Sequence, residues 1–139
     1  MTINILKQEN NSYYITGFIG SLENGVFKNV SFNNPKIYSE VEGGASIAVG
    51  YAYNDSTIEN VKILNGELNA ISICTGGICG KNSSQSIIQD CYNTGSVISE
   101  GSKNEVGGIV GRNTSIVKKL LQCRWSNRKI YGYRRNNRT

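Results

Sequence analysis

Apolar and polar residues alternate over several short stretches of this chain. Residues 30–32 read V-S-F and residues 61–63 read V-K-I, so that every second side chain is apolar. Such alternation is typical of a half-buried strand, and no stretch of residues 1–117 sustains the period of about 3.6 residues that a helix needs. β-branched residues are common, and glycines interrupt the helical windows. The pattern predicts an all-β fold made of short strands.

A glycine-rich motif recurs along the chain at a nearly constant interval. Its copies, in chain order, are G-F-I-G at 17–20, S-I-A-V-G at 46–50, G-I-C-G at 77–80 and G-G-I-V-G at 107–111. The glycines that close them are Gly20, Gly50, Gly80 and Gly111, spaced by 30, 30 and 31 residues. A fixed period of this size indicates a repeat architecture.

Two further short segments follow each glycine motif in step with it. The first has an apolar residue, a polar residue, Asn or Asp, and a small apolar residue, at 27–30, 58–61 and 88–91. The second is a short apolar segment, at 36–38, 67–71 and 96–98. Each period therefore offers three strand candidates, separated by Gly, Asn and Ser.

Three short strands per period predict a right-handed parallel β-solenoid, or β-helix, of about four coils with a period of about 30 residues. Propeller blades need about 40 residues or more and four antiparallel strands, which makes them the weaker alternative. Three features of the stack are predicted. Glycines take positive φ at the corners. Asn29, Asn60 and Asp90 stack as a ladder at a bend. One core column holds Ile19, Val49 or Ile47, Cys79 or Ile78, and Val110 or Ile109.

Composition and charge narrow the class of protein. The 139 residues suffice for one modest domain and include one proline, 16 glycines and no histidine. No run of about 18 apolar residues predicts a transmembrane helix. Residues 1–8 lack the basic start and apolar core of a signal peptide, so we expect either a cytoplasmic protein or an internal piece of a longer secreted chain.

The net charge of +5 comes entirely from the last 22 residues. Residues 118–139 hold eight Lys or Arg and no acid, while residues 1–117 hold seven basic and ten acidic groups, a net charge of −3. Three segments are predicted: residues 1–16 lead into the first repeat, residues 17–118 form the solenoid, and residues 119–139 are a basic, poorly ordered tail. Taken literally, the tail resembles a nucleic-acid-binding segment, with cations and aromatics at Arg124, Trp125, Arg128, Lys129, Tyr131, Tyr133, Arg134, Arg135 and Arg138.

A frameshift gives a different interpretation of the tail. Codons for residues 118–138 can be chosen so that removal of one adenine yields K-N-C-Y-N-V-G-G-A-I-G-K-S-T-D-T-G-G-I-I-G. The single codon of Trp125 forces a glycine in that frame. Our hypothesis is that residues 119–139 are frameshifted sequence, which leaves nucleic-acid binding without support.

Candidate chemistry is sparse. The four cysteines, at 74, 79, 91 and 123, lack the spacing of a zinc site and are interpreted as small apolar residues at repeat positions. Residues 75–82 differ from a phosphate-binding loop at both diagnostic ends, and S-I-V-K at 115–118 lacks the companion motifs of a serine–lysine nucleophile. The carboxylates Glu40 and Glu42, expected on one strand face, and Asp55, Glu59 and Glu67 mark no convergent pair. We therefore predict no catalytic, cofactor-binding or metal-binding residues.

The last two repeats resemble a known family. Residues 107–113 read G-G-I-V-G-R-N, and residues 88–95 read I-Q-D-C-Y-N-T-G. This combination resembles the GLUG-motif repeats of bacterial surface proteins, over about residues 17–118. The first two repeats match less well, since Ser46 replaces a glycine and Val30 and Val61 stand where the family has cysteine.

The resemblance implies a function and a setting. It implies a non-catalytic structural or adhesive module, a fragment of a larger bacterial cell-surface or secreted protein, located outside the cell. Its partners would be further solenoid repeats of the parent chain and an extracellular or host-surface glycan or protein, with no cofactor, nucleic acid or membrane. The alternative is a fragment of a carbohydrate-active β-helix enzyme, which a groove of converging carboxylates would favour. The sequence names neither the ligand nor the oligomeric state.

Overall fold

The protein is a parallel β-solenoid. A computed structural model describes residues 2–5, 15–100 and 105–122. This part of the chain contains 18 strands and no helix. The strands pair in parallel between successive coils and form four sheets, which wind through about three turns. The predicted all-β solenoid is therefore confirmed, with slightly fewer turns than the four expected.

Each coil contributes a strand to each of the four sheets in turn. Sheet A contains β1 (Thr2–Ile5), β5 (Lys36–Ser39), β9 (Glu67–Ala70) and β14 (Ser96–Ser99). Sheet B contains β2 (Ile15–Thr16), β6 (Gly44–Ser46), β10 (Cys74–Gly76) and β15 (Glu105–Gly107). Sheet C contains β3 (Ile19–Glu23), β7 (Val49–Tyr53), β11 (Cys79–Asn82) and β16 (Val110–Asn113). Sheet D contains β4 (Val26–Asn33), β8 (Thr57–Leu64), β12 (Ile87–Gln89), β13 (Tyr92–Asn93), β17 (Ile116–Lys118) and β18 (Leu121–Gln122).

The number of strands per coil differs from the prediction. The residues before each glycine motif form a strand of their own, as in β6 and β10, so that the bend inside the motif joins sheet B to sheet C and the closing glycine lies in the sheet C strand. The three-strand prediction missed these strands because they are three residues long or shorter in the first three coils, and β6 and β10 contain glycine. The glycine motif is thus the corner that joins two sheets.

The core is built from columns of apolar side chains in register. Ile19 pairs with Val49, Val49 with Cys79 and Cys79 with Val110, which confirms the predicted column and excludes Ile47 and Ile78 from it. A second column is Phe27, Ile58, Ile88 and Val117, and a third is Ile37, Leu68 and Val97. Because the side chains of the inner coils are almost fully buried, each coil hides the apolar face of the next.

Phenylalanines occupy the end of this core that the first coil forms. The ring centroid of Phe18 lies 6.3 Å from that of Phe27 and 5.5 Å from that of Phe32, in an edge-on contact with Phe32. Phe27 and Phe32 stand where the next coil has Ile58 and Ile63. The larger rings close the end of the stack, although Phe18 itself remains 54% exposed.

The motif glycines are needed for close backbone approach, and the prediction that they take positive φ is wrong. None of Gly50, Gly80 and Gly111 has φ in the left-handed region. A Cβ on Gly80 would lie 2.6 Å from the carbonyl oxygen of Gly50, and one on Gly111 would lie 2.6 Å from that of Gly80. Stacked coils therefore meet backbone to backbone at this corner, where a side chain does not fit.

Asparagines supply the positive φ angles instead. Asn29, Asn60 and Asp90 have φ of 58°, 50° and 53° and occupy the same bend in successive coils. The Nδ2 group of Asn60 donates a hydrogen bond of 2.8 Å to Oδ1 of Asn29. Asn tolerates this conformation better than most residues. The predicted ladder is therefore confirmed between Asn29 and Asn60.

The described chain continues the coil pattern beyond residue 118. Strand β18 pairs with β13, which places Leu121 opposite Tyr92 and Gln122 opposite Asn93. Lys119 has φ of 50° and follows Lys118, the partner of Gln89. The predicted tail beyond residue 122 and most of the predicted leading segment 1–16 lie outside the described residues. The frameshift hypothesis stays a prediction.

Candidate functional site

The predicted carboxylates lie on different parts of the surface. Glu40 and Glu42 lie in the connection between β5 and β6, so the expectation that they share a strand face is wrong. The Glu40 carboxylate accepts a hydrogen bond of 2.8 Å from the Tyr38 hydroxyl. Glu67 pairs with Lys36 on sheet A, and Glu59 accepts from Gln89 on sheet D.

Asp55 lies apart from these residues in the bend between β7 and β8, with φ of 59°. The five carboxylates therefore lie on four parts of the solenoid, which are the β5–β6 connection, sheet A, sheet D and the β7–β8 bend. No group of three or more His, Cys, Asp or Glu within the described ranges could hold a metal ion.

Three of the cysteines are buried in the described core, as the sequence predicts. Cys79 continues the column of Val49 and Val110, and Cys91 lies between β12 and β13. Cys74, Cys79 and Cys91 are free thiols. Burial raises the pKa of Cys79 to about 12 and that of Cys91 to about 11, and it also raises the pKa of Cys74. These side chains act as small apolar residues, whereas Cys123 lies outside the described residues.

Residues 75–82 and 115–118, which partly match a phosphate-binding loop and a serine–lysine nucleophile, make structural contacts. A Cβ on Gly77 would lie 2.4 Å from the carbonyl oxygen of Gly108, so the next coil covers the loop at 75–82. In the 115–118 segment, Ser115 precedes β17, and its backbone amide donates to Oδ1 of Asn113. Coil packing at 75–82 and the turn before β17 account for these two segments.

A cluster that the sequence did not reveal lies on the outward side of sheet C. We call it the tyrosine face and define it by Glu23, Tyr51, Tyr53, Lys81 and Ser83. The tyrosine rings are stacked, with centroids 4.6 Å apart and planes inclined by 25°. The Lys81 ammonium lies 4.7 Å from the centroid of the Tyr51 ring, in cation–π contact.

Register explains why these side chains meet. Tyr51 and Tyr53 are two positions apart on β7, so both point to the same side of the sheet. Lys81 pairs with Tyr51 across β11, and Tyr53 pairs with Glu23 across β3. Three successive coils therefore contribute to one surface.

Hydrogen bonds fix the orientation of both rings. The hydroxyl oxygens of Tyr51 and Ser83 are 2.9 Å apart. The Tyr53 hydroxyl donates to Glu23 Oε2 at 3.2 Å, and Asn54 Nδ2 donates to Glu23 Oε1 at 2.8 Å. The bond to Glu23 raises the pKa of Tyr53, because it stabilises the protonated phenol.

The charges at this face are unevenly paired. Arg112 lies in the same column as Tyr51 and Lys81, but its guanidinium forms an ion pair with Glu105. That hydrogen-bonded contact raises the pKa of Arg112. Lys81 has no carboxylate within salt-bridge distance in the part of the chain that the structure describes. Glu23 likewise has no cation within salt-bridge distance among the described residues, so the face carries one cation and one carboxylate beside two aromatic rings.

The sequence contained a signal for this cluster. The 30-residue period places Tyr51 one coil before Lys81, so superposed repeats bring Tyr51, Tyr53 and Lys81 together. The apolar positions alone, which define the repeat, do not predict this cluster.

Comparison with known protein families identifies a repeat motif in the chain. The GLUG motif matches residues 71–98, which contain strands β10 to β13 and the first three residues of β14. The chain is therefore similar to a repeat family over these residues. No curated protein and no solved structure matches the chain. Within the described ranges, no helix has the length and apolar character needed to cross a membrane.

Proposed function

We propose that the chain is a non-catalytic structural and adhesive repeat module of a larger bacterial surface or secreted protein. The observation that carries the proposal is the continuous register of the coils. Each inner strand pairs with the coil above and the coil below, and the motif residues Gly50, Gly80 and Gly111 serve this stacking. The GLUG match at 71–98 supports a repeat module.

The outer surface supports the adhesive part of the proposal. Apolar columns fill the interior, while the outward positions carry charged, amide and hydroxyl groups as well as tyrosines. A rigid rod with such a surface holds binding groups at a fixed spacing, because the neighbouring strands are about 4.8 Å apart. Further repeats of the parent chain and an extracellular ligand are the proposed partners.

Protease treatment of intact cells tests the location. Antibodies raised against the purified chain would detect the parent protein in the bacterium that encodes it. We expect brief proteolysis of intact cells to remove this signal while a cytoplasmic marker persists. A signal that survives until the cells are lysed would contradict a surface location.

An activity screen separates the module from the alternative, a fragment of a carbohydrate-active β-helix enzyme. Purified chain would be incubated with neutral and acidic polysaccharides, and the products would be measured as reducing ends and as unsaturated sugars. We expect no product above a boiled control. Product formation that is lost in Glu59→Gln or Glu67→Gln would favour the enzyme.

A further inference from the structure

We infer that copies of this chain associate end to end, with the last coil of one copy stacked on the first coil of the next. The inference goes beyond the proposed function, since it needs only the register of the coils and not an adhesive role. It is carried by the matching strand levels at the two ends, by core columns that are partly exposed there, and by apolar side chains that share one outward column.

The two ends of the solenoid match around the whole coil. The first strands of the four sheets are β1, β2, β3 and β4, and the last are β14, β15, β16 and the pair β17 and β18. Each sheet therefore has four levels, because β8 pairs with β4 on one side and with β12 and β13 on the other. Neighbouring levels pair in parallel, so a second copy continues all four sheets in this way only in head-to-tail order.

The apolar columns of the core are incompletely covered at both ends. Among the described residues, six hydrophobic side chains pack against the core without being fully buried, and all lie in the first or last level of the stack: Ile19, Leu22, Val30, Val97, Val117 and Leu120. The phenylalanines cover the first end only in part, since Phe18 is itself 54% exposed. A stacked copy would bury these side chains as the inner coils bury Val49 and Ile88.

One outward column of sheet D has exposed apolar side chains at both of its ends. Val26 and Ile87 each pair with Thr57, and Ile87 pairs in turn with Ile116. Val26 is 63% exposed and Ile116 is 41% exposed. In a head-to-tail stack, Ile116 of one copy lies one strand spacing, about 4.8 Å, from Val26 of the next. A head-to-head contact would leave Ile116 exposed.

The end strands can form the same hydrogen bonds as the inner strands. An edge strand presents backbone N–H and C=O groups that pair with a further strand. Strand β4 pairs with β8 at one edge and β17 pairs with β12 at one edge, whereas β8 pairs at both. The contact joins two different surfaces along the solenoid axis, so it repeats and produces linear chains of copies instead of closed dimers.

One charged column opposes the contact and gives it a measurable signature. Lys28 and Gln89 each pair with Glu59, and Gln89 pairs in turn with Lys118. Lys118 of one copy would therefore lie opposite Lys28 of the next. Like charges directly opposite each other on neighbouring strands are destabilising. The association should strengthen as sodium chloride is added, because salt screens this repulsion.

Sedimentation velocity of the full chain, over a range of protein concentrations and in low and high salt, tests the inference. We expect a series of species that grows with concentration and with salt. Lys118→Glu should tighten the association by about threefold or more, since an ion pair with Lys28 replaces a repulsion. Adding Lys28→Glu to this variant should reverse the gain. Val26→Asp and Ile116→Asp should each weaken the association by about tenfold or more, because stacking would bury the new charge.

Matched controls lie away from the two ends. Ile71, in the connection between β9 and β10, is 43% exposed, and Lys62 is an exposed lysine of the inner strand β8. We expect Ile71→Asp and Lys62→Glu to associate as the wild type does. Circular dichroism and thermal melting of every variant show whether a lost association reflects lost folding.

Three results would overturn the inference. A folded monomer at every concentration would show that the chain itself covers its ends. A closed dimer whose affinity does not change in Lys118→Glu would indicate a head-to-head contact. An equal loss in Ile71→Asp would indicate association through the sides of the solenoid. Each of these results would leave the repeat module standing, because all of them require a folded chain.

Discussion

Asn60 donates a 2.8 Å hydrogen bond from its side-chain amide to the side chain of Asn29, and both residues have positive φ. The bend in sheet D thus depends on a residue that tolerates the left-handed region and that also bonds to its counterpart one coil away. The bend therefore depends on two effects, the backbone conformation and the side-chain hydrogen bond, which different substitutions can measure.

Substitution of Asn60 should reveal both effects. Asn60→Ala loses the hydrogen bond and places a Cβ in the left-handed region, so we expect a loss of about 1–3 kcal/mol in the free energy of unfolding. Asn60→Gly loses the bond but not the backbone freedom and should cost less. Chemical denaturation measures both. Asn69→Ala, on sheet A with ordinary φ, is the control; equal losses in all three variants would contradict the ladder.

The corner glycines give a second prediction with an internal control. In Gly80→Ala the new Cβ would lie 2.6 Å from the carbonyl oxygen of Gly50, and we expect a loss of about 1–3 kcal/mol or failure to fold. Gly20 closes the same motif in the first coil, where the nearest atom of the described residues to a Cβ is the carbonyl oxygen of Ile15, 3.8 Å away. Gly20→Ala should therefore be neutral or slightly stabilising. Thermal melting measures both variants. An equal change in Tm for Gly80→Ala and Gly20→Ala would contradict the close backbone contact at Gly80.

The buried thiols predict alkaline sensitivity. Burial raises the pKa of Cys79 from 9.0 to about 12, so the folded state keeps its proton at pH values where the unfolded state loses it. The stability contributed by this thiol is complete below pH 9 and is lost as the pH rises towards 12. The free energy of unfolding should fall less steeply with rising pH in Cys79→Val, which has no thiol to ionise. Valine suits this position, because Val49 and Val110 occupy the same column. Identical slopes in the two proteins would contradict this assignment.

The positive φ of Lys119 gives a prediction about the bend that follows β17. Lys119 has φ of 50° and follows the residue that pairs with Gln89, so it occupies the place that Asp90 holds one coil earlier. Because Asn adopts this conformation more easily, Lys119→Asn should stabilise the chain by about 0.5–1 kcal/mol. Lys118→Asn, in β17, should not. Denaturant unfolding measures the stability of both variants. An unchanged or lower stability of Lys119→Asn would contradict the place of residue 119 in the ladder.

The coding DNA checks the frameshift hypothesis independently. The register places Leu121 and Gln122 opposite Tyr92 and Asn93. In the hypothetical frame with one adenine removed, these two positions become Tyr and Asn and position 119 becomes Asn. We expect the DNA to contain this frame and a later G-G-I-I-G. Its absence from the DNA would end the hypothesis.

The sequence predicted the parts of the fold that depend on the period. Equal spacing of Gly20, Gly50 and Gly80 sets the register, and the register then determines which apolar residues share a column. It did not predict how the corners form, since glycine suits positive φ and close packing alike. Only three-dimensional stacking distinguishes these two uses, and at this corner it is the carbonyl oxygen of Gly50 that excludes a side chain at Gly80.

The candidate site was harder to predict than the fold. Tyr51 and Tyr53 are ordinary residues in a polar strand, and Lys81 is 30 residues from Tyr51. Their proximity follows from parallel pairing between coils, not from any local motif. A site of this kind becomes visible in sequence only after the repeats have been superposed and their outward positions compared.

Nuclear Overhauser contacts between backbone protons test the central claim, which is parallel stacking of coils in one register. We expect contacts that join Val49 to Cys79 and Cys79 to Val110, together with the contacts to Ile78 and Ile109 that the backbone hydrogen bonds of these strands require. Contacts that instead pair β7 with β8 as an antiparallel hairpin, or a shifted register between coils, would contradict the solenoid and the tyrosine face together.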